Sequence, residues 1–397
     1  MNEITELRQF RSAVPAEPVA AEQTMRVMAE LGSGRAATPA RPALRGRFRL
    51  TPLRLSLGLG ALAATGTAVA VILSAVGGGT PGPQHTAAGQ SSPRISLIAA
   101  AEKLEREPAG SGTYWRVRSK ESQQYWAHGK GKEKYVIDQR ATNDMWQPAA
   151  NTGNPVSISQ GLGTSPATPA DREAWRRAGS PADWPIGNGM RVKASAGERA
   201  ANFQPPGSGS GLSLGSRTLS LNELKQLPTD PGALKALILE QRTRDIGRGL
   251  APKNGFSEVE TIYMTVDSMT TLPVPPRVRA AAYRLLASTP ELQVQGRVRD
   301  PLGRVGVAVA LRGGLAVTGS SGEDSETSRI EQRLIIDTAS GRLLARTYST
   351  IGGSRQLVTY TAYESMGWTS ERPQLPAKRT GCVSVATCKA REKAQKH

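Results

Sequence analysis

Residues Leu55 to Val76 (LSLGLGALAATGTAVAVILSAV) run for 22 positions without one Asp, Glu, Lys or Arg. A helix over that run, at about 1.5 Å per residue, covers roughly the 30 Å of a bilayer's hydrocarbon core, so the sequence predicts a transmembrane helix. A buried soluble helix is rarely free of polar residues on every face. A signal peptide cleaved after the Ser74-Ala75 region is the stronger alternative. Against it, 54 residues precede the run, and the run exceeds the about 7 to 15 apolar residues of a signal-peptide core. Gly60, Ala64 and Ala68 place small residues on one helix face, which permits a weak homodimer through this helix.

The flanks orient the span. Arg35, Arg41, Arg45, Arg47, Arg49 and Arg54 precede it with no acid among them, whereas Gly77 to Pro93 carries no charge. Basic residues stay on the cytoplasmic side, and Arg45, Arg47, Arg49 and Arg54 lie nearest the lipid heads. The expected protein is a single-pass plasma-membrane protein with a cytoplasmic N-terminus and an extracellular C-terminal domain. Cys382 and Cys388 (CVSVATC) then lie in an oxidising compartment and can close a short-loop disulfide; two free thiols are the alternative.

Six zones follow. Residues 1–34 carry Leu7, Phe10 and Val14, then Met25 and Met28, at helical spacing around Pro15 and Pro18, which predicts two short amphipathic helices and a face for a cytoplasmic partner. Residues 35–54 are a basic, disordered juxtamembrane segment. Residues 55–76 are the span and 77–92 a flexible Gly/Ser/Pro linker. Residues 93–377 are the external domain, and 378–397 a basic tail.

Within the domain, Ile95 to Glu105 reads as a helix, followed by strand character at Thr113 to Val117 and at Tyr125-Trp126. Glu133 to Trp146 reads as a further strand pair, Asp171 to Ala178 as a short helix, and 196–218 as a long surface loop. Asp230 to Arg244 is a helix opened by Asp230 as N-cap with Pro231 in the first turn. Ser257 to Thr270 and Pro276 to Ala287 also have helical periods. Beyond Pro290 the period becomes two. Leu292 to Val298 and Val305 to Leu311 flank the turn Asp300-Pro301-Leu302-Gly303; Arg333 to Asp337 and Leu343 to Thr347 flank a second turn, and Gln356 to Tyr363 adds a strand. The expected fold class is α+β: one transmembrane helix, then an external domain with a curved antiparallel sheet and packed helices.

Several of these stretches carry a resemblance. Leu227-Pro228-Thr229-Asp230-Pro231, Val274-Pro275-Pro276-Arg277, Asp300 to Val307 (DPLGRVGV), Leu334 to Leu343 (LIIDTASGRL) with Trp368, and Glu6 to Arg11 with Val14-Pro15 are together similar to a family of single-pass actinobacterial membrane proteins of unknown function. The resemblance covers nearly the whole chain. It implies regulation beside extracytoplasmic-function sigma factors, next to which such proteins are often encoded, and supplies no catalytic residues. The strand-rich C-terminal part more distantly resembles the lipoprotein-carrier and periplasmic sigma-regulator fold. That resemblance implies a groove for a lipid chain or an extended peptide.

Catalytic patterns are poor. His85 lies in the linker, His128 in a polar turn and His397 at the end, none with an acid or nucleophile at a useful spacing. Gly207 to Gly211 (GSGSG) follows no strand and precedes no Lys-Ser/Thr, so it is no phosphate cradle. Glu258 and Glu260 sit near a helix start, where carboxylates complement the dipole. Glu323, Asp324 and Glu326 read as solvated. Three His and two Cys leave too little for a metal centre, so no catalytic residue, metal or cofactor is expected.

The formal charge is +18, but residues 1–54 hold nine Arg and five Glu, a net +4, which leaves +14 outside. Nucleic acid is therefore not an expected partner; anionic lipid heads or wall polymers suit the tail, which carries Lys378, Arg379, Lys389, Arg391, Lys393 and Lys396. The six Trp read as core. Two functions fit: a non-enzymatic membrane-anchored regulator or sensor, binding a lipid, peptide or envelope component outside and a sigma factor or other regulator inside, or a structural envelope module that signals nothing.

Overall fold

A computed structural model describes residues 92–129, 133–150, 153–187, 190–205, 212–252, 255–318, 327–351 and 355–381. The expected span at 55–76, the segments before it and the linker lie outside the described residues.

The expected fold class is corrected. One large mixed sheet of ten strands dominates, with 41% strand against 28% helix, and among the described residues no helix is long and apolar enough to cross a membrane. The sheet is not purely antiparallel, because the chain returns at its end to lay β14 (Lys378–Gly381) parallel to β6 (Ala200–Phe203). Its order is β14-β6-β3-β2-β1-β13-β12-β11-β10-β9, with β1 Tyr114–His128, β2 Lys134–Pro148, β3 Val156–Pro166, β9 Gln293–Arg299, β10 Val305–Thr318, β11 Thr327–Ile336, β12 Leu343–Ile351 and β13 Val358–Thr369. Two-stranded ribbons β4–β5 (Asp183–Gly187, Met190–Lys193) and β7–β8 (Ser213–Leu214, Arg217–Thr218) stand apart from it.

The first half differs most from expectation. β1 is one strand of 15 residues, not two pieces, and it pairs without interruption with the 15-residue β2, from Tyr114 opposite Pro148 to His128 opposite Lys134. Polar residues on both faces hide the alternation on which a strand reading depends. The 196–218 loop is also corrected, since it contains β6, β7 and β8.

Four of the described helices start where side-chain caps satisfy free backbone amides. Thr168 caps α2 (Pro169–Arg177) and Asp230 caps α4 (Pro231–Gly247), the latter by accepting from Ala233 N at 2.8 Å. Ser220 with Glu223, and Ser257 with Glu260, form capping boxes on α3 (Leu221–Lys225) and α5 (Glu258–Thr271). Pro276 opens α6 (Pro276–Ser288).

Helix α1 (Pro93–Arg106) presents Leu97, Ala100, Ala101 and Leu104, a helical stripe with no solvent exposure, and it packs on α6. Each Leu so buried contributes roughly 1.5–3 kcal/mol. Arg94 ties the two helices by donating to the carbonyls of Ala287, Thr289, Pro290 and Leu292 around the C-terminus of α6. The Asp337–Arg342 turn meets this layer at Gly341. Its φ is +71°, and an added Cβ would lie 2.5 Å from Leu104 Cγ, so only glycine fits.

Helices α1 and α3–α6 share one core with Trp115, Val117, Val307, Val309, Leu311, Leu334, Ile336, Leu343 and Tyr363 of the sheet. A second cluster lies farther along β1 and β2 on the same face, where Ala127, Tyr135 and Ile137 meet Ala174 of α2 and Trp184, Ile186 and Val192 of β4–β5.

Candidate functional site

Between those two clusters the same sheet face turns polar. Strand alternation from Trp115 and Val117 brings Ser119, Glu121 and Gln123 onto the helix-bearing face. The register then carries polar side chains across the sheet. Ser119 stands opposite Asn143 and Tyr363; Glu121 opposite Thr361, which stands opposite Arg346; and Gln123 opposite Thr359, which stands opposite Tyr348. Gln332 of β11 extends the last row. The result is a transverse polar strip from β3 to β11.

Glu121 is 6% exposed. Ser119 Oγ donates to its Oε1 at 2.7 Å, and Ser157 Oγ donates to Asn143 Oδ1 at 2.6 Å beside it. No cation pairs with Glu121 among the described residues. Burial therefore pushes its carboxyl up to about 8, against the smaller pull of the Ser119 and Asn143 hydrogen bonds. Burial thus favours the protonated, neutral form of the side chain.

Across the strip Arg346 reaches the end of α5. It forms an ion pair with Asp267, and its Nη2 donates to Asp267 O at 2.5 Å. The cation thus also complements the carbonyl end of the helix dipole. Burial works against the Arg346 charge, but Asp267 outweighs it and the guanidinium is held above its ordinary range. The Tyr363 ring centroid lies 5.9 Å from Arg346 Cζ, and desolvation raises the phenols of Tyr348 and Tyr363.

Apart from Arg346 Nε and Asp267 Oδ1, which face each other in the ion pair, two buried polar atoms in the strip have no hydrogen-bond partner, Gln123 Oε1 and Thr164 Oγ1. Thr164 stands opposite Gln139, and Gln139 opposite Gln123, so the two belong to one row. Each such atom costs about 1–3 kcal/mol. Tyr348, Thr359 and Thr361 beside them are only half-buried. The strip is therefore equipped to take a polar ligand through neutral donors and acceptors, with one protonatable carboxyl at its centre.

The apolar rows are occupied. Val307, Val309, Leu311, Leu334 and Ile336 lie under the helices, so among the described residues the groove that the second resemblance implies is filled by the chain itself.

Few of the residues singled out from sequence lie in this site. Leu7, Phe10, Val14, Met25, Met28, Arg45, Arg47, Arg49 and Arg54 fall outside the described residues, as do Cys382, Cys388, His85, His397, the GSGSG run and Glu323, Asp324 and Glu326. His128 ends β1, exposed and opposite Lys134. Glu260 closes its capping box by accepting from Ser257 N at 2.7 Å. Trp115 and Trp368 meet edge to face at 5.5 Å in the main core, and Trp146 and Trp184 are buried in separate clusters. Among the described residues, no three His, Cys, Asp or Glu side chains gather as a metal site.

Glu121, Asp267 and Arg346 are not among the residues that the sequence singles out. A signal existed for the first, since Trp115, Val117, Ser119 and Glu121 share one strand phase, and for the second, since Tyr263 and Asp267 share a helical face. No family model matches the chain, and no curated protein matches it either.

Proposed function

We propose that the chain is a membrane-held regulator that acts by binding and not by chemistry. Its 93–377 domain takes an envelope ligand at the polar strip, and residues 1–34 engage a cytoplasmic regulator such as a sigma factor through Leu7, Phe10, Val14, Met25 and Met28. The uncharged run Leu55 to Val76 would couple the two. The observation that carries the reading is the strip itself, where the buried Glu121, its carboxyl pushed up by burial, and two unpaired oxygens, on Gln123 and Thr164, lie between apolar rows of the sheet. Groups kept at such a cost cluster at functional positions.

The strip favours a polar ligand, a peptide or a sugar, over a lipid chain, because helices already cover the apolar rows. Resemblance to proteins encoded beside sigma factors supports the cytoplasmic half of the reading.

The test is a pull-down from native membranes with the full-length chain and with a version lacking residues 1–34, identifying bound proteins and envelope components. A cytoplasmic regulator recovered only with the full-length chain is the expected result. Equal recovery of envelope material alone by both would leave the structural envelope module as the function.

A further inference from the structure

The face opposite the strip carries a second, separate site. Arg116 points there, since it alternates with Trp115 and Val117 on β1. Its guanidinium lies 4.1 Å from the Trp146 ring, and Asp144 grips it in two parallel hydrogen bonds of 2.8 Å, from Nε and Nη2. Stacking and the fork fix the group in place. The remaining edge, Nη1, faces a cavity of about 150 Å³ that Arg199 and Arg372 also line. Those two are exposed, and neither is in an ion pair among the described residues.

Three arginines thus line one small space, against two acidic residues, a net charge of +1. Asp144 is spent on the far edge of Arg116. The other carboxylate, Glu371, accepts from Arg116 Nη1 at 3.1 Å while remaining 72% exposed. It occupies the position an external anion would take, and its exposure leaves it free to swing out.

The geometry points to an anion pocket that binds a phosphate group on Arg116, Arg199 and Arg372, with Glu371 as the internal competitor that the phosphate displaces. The cavity equals about five waters in volume, room for one phosphate group. Arginine is the side chain whose planar donor fork suits phosphate oxygens. The phosphate diester of an anionic envelope polymer and that of a lipid headgroup share this chemistry.

Calorimetric titration of the full-length protein in neutral detergent tests the assignment with two soluble probes, a glycerol phosphate oligomer for the polymer and glycerophosphoglycerol for the lipid headgroup. Binding of at least one is expected, and the tighter one names the source. Arg199→Ala with Arg372→Ala should weaken it at least tenfold, and Glu371→Gln should tighten it severalfold. Lys235→Ala with Arg248→Ala, exposed cations of the helix layer, should leave it unchanged. The assignment is overturned if neither probe binds, if the helix-layer pair weakens binding as much as the pocket pair, or if Glu371→Gln binds no tighter.

Discussion

Two regions of one sheet face, separated only by a few residues along each strand, are built on opposite principles. Where β10 and β11 meet the helices, Val309, Leu334 and their neighbours are buried in one cluster with Leu97, Leu104, Tyr263 and Tyr283, and apolar contact stabilises them. A few rows along the strands, Glu121, Asn143 and Ser157 are equally shielded from water but carry groups that burial disfavours. The chain places its apolar packing in one set of rows and its buried polar groups in another. Position along a strand, not choice of face, separates the two.

The contrast can be broken by substitution. Arg346→Ala leaves Asp267 largely buried without its cation and should cost about 3–5 kcal/mol in denaturant unfolding. Replacing both, Asp267→Leu with Arg346→Met, should recover most of that loss, because an apolar pair of similar size needs no desolvation. If Arg346→Ala costs no more than Arg248→Ala at an exposed position, the strip is solvated and the contrast fails. In the apolar rows, Leu104→Ala should cost about 2–5 kcal/mol through a cavity beside Gly341, with little dependence on pH from 5 to 9. Ser257→Ala removes one half of a capping box and should cost about 1 kcal/mol. That loss sharpens the contrast by showing the scale of a local change in neither region.

Much of the second half of the domain was legible in the sequence. Asp230-Pro231 marked the start of α4, the period of two marked β9 and β10, and the Asp300-Pro301-Leu302-Gly303 turn formed with Asp300 Oδ1 accepting from Leu302 N and Arg304 N. Such signals are local, so they can be read without the fold. The first half was less legible because β1 and β2 carry polar residues on both faces, one side bearing the strip and the other Arg116, Asp144 and Asp138. The candidate site was not legible as a unit. Glu121, Asp267 and Arg346 are far apart in the chain, and only the β1–β13–β12 register and the seat of α5 bring them together. The parallel β14 was hidden for the same reason, since four residues at Lys378–Gly381 find their partner about 180 positions upstream in β6.

The central claim, that the strip holds a buried acid in its neutral form, has a direct consequence for stability. Burial pushes the folded carboxyl of Glu121 up to about 8, above the about 4.3 of an unfolded Glu. The folded state therefore holds a proton that the unfolded state has lost between those values. This contribution is complete below pH about 4.3 and disappears as pH rises through 8. Its ceiling is about 5 kcal/mol. The measurement is urea unfolding of the full-length protein and of Glu121→Gln from pH 5 to pH 9. The wild-type chain should lose stability relative to the variant as pH rises from 5 to about 8, and the loss should level off above pH 8. Parallel curves for the two proteins over that range would contradict it.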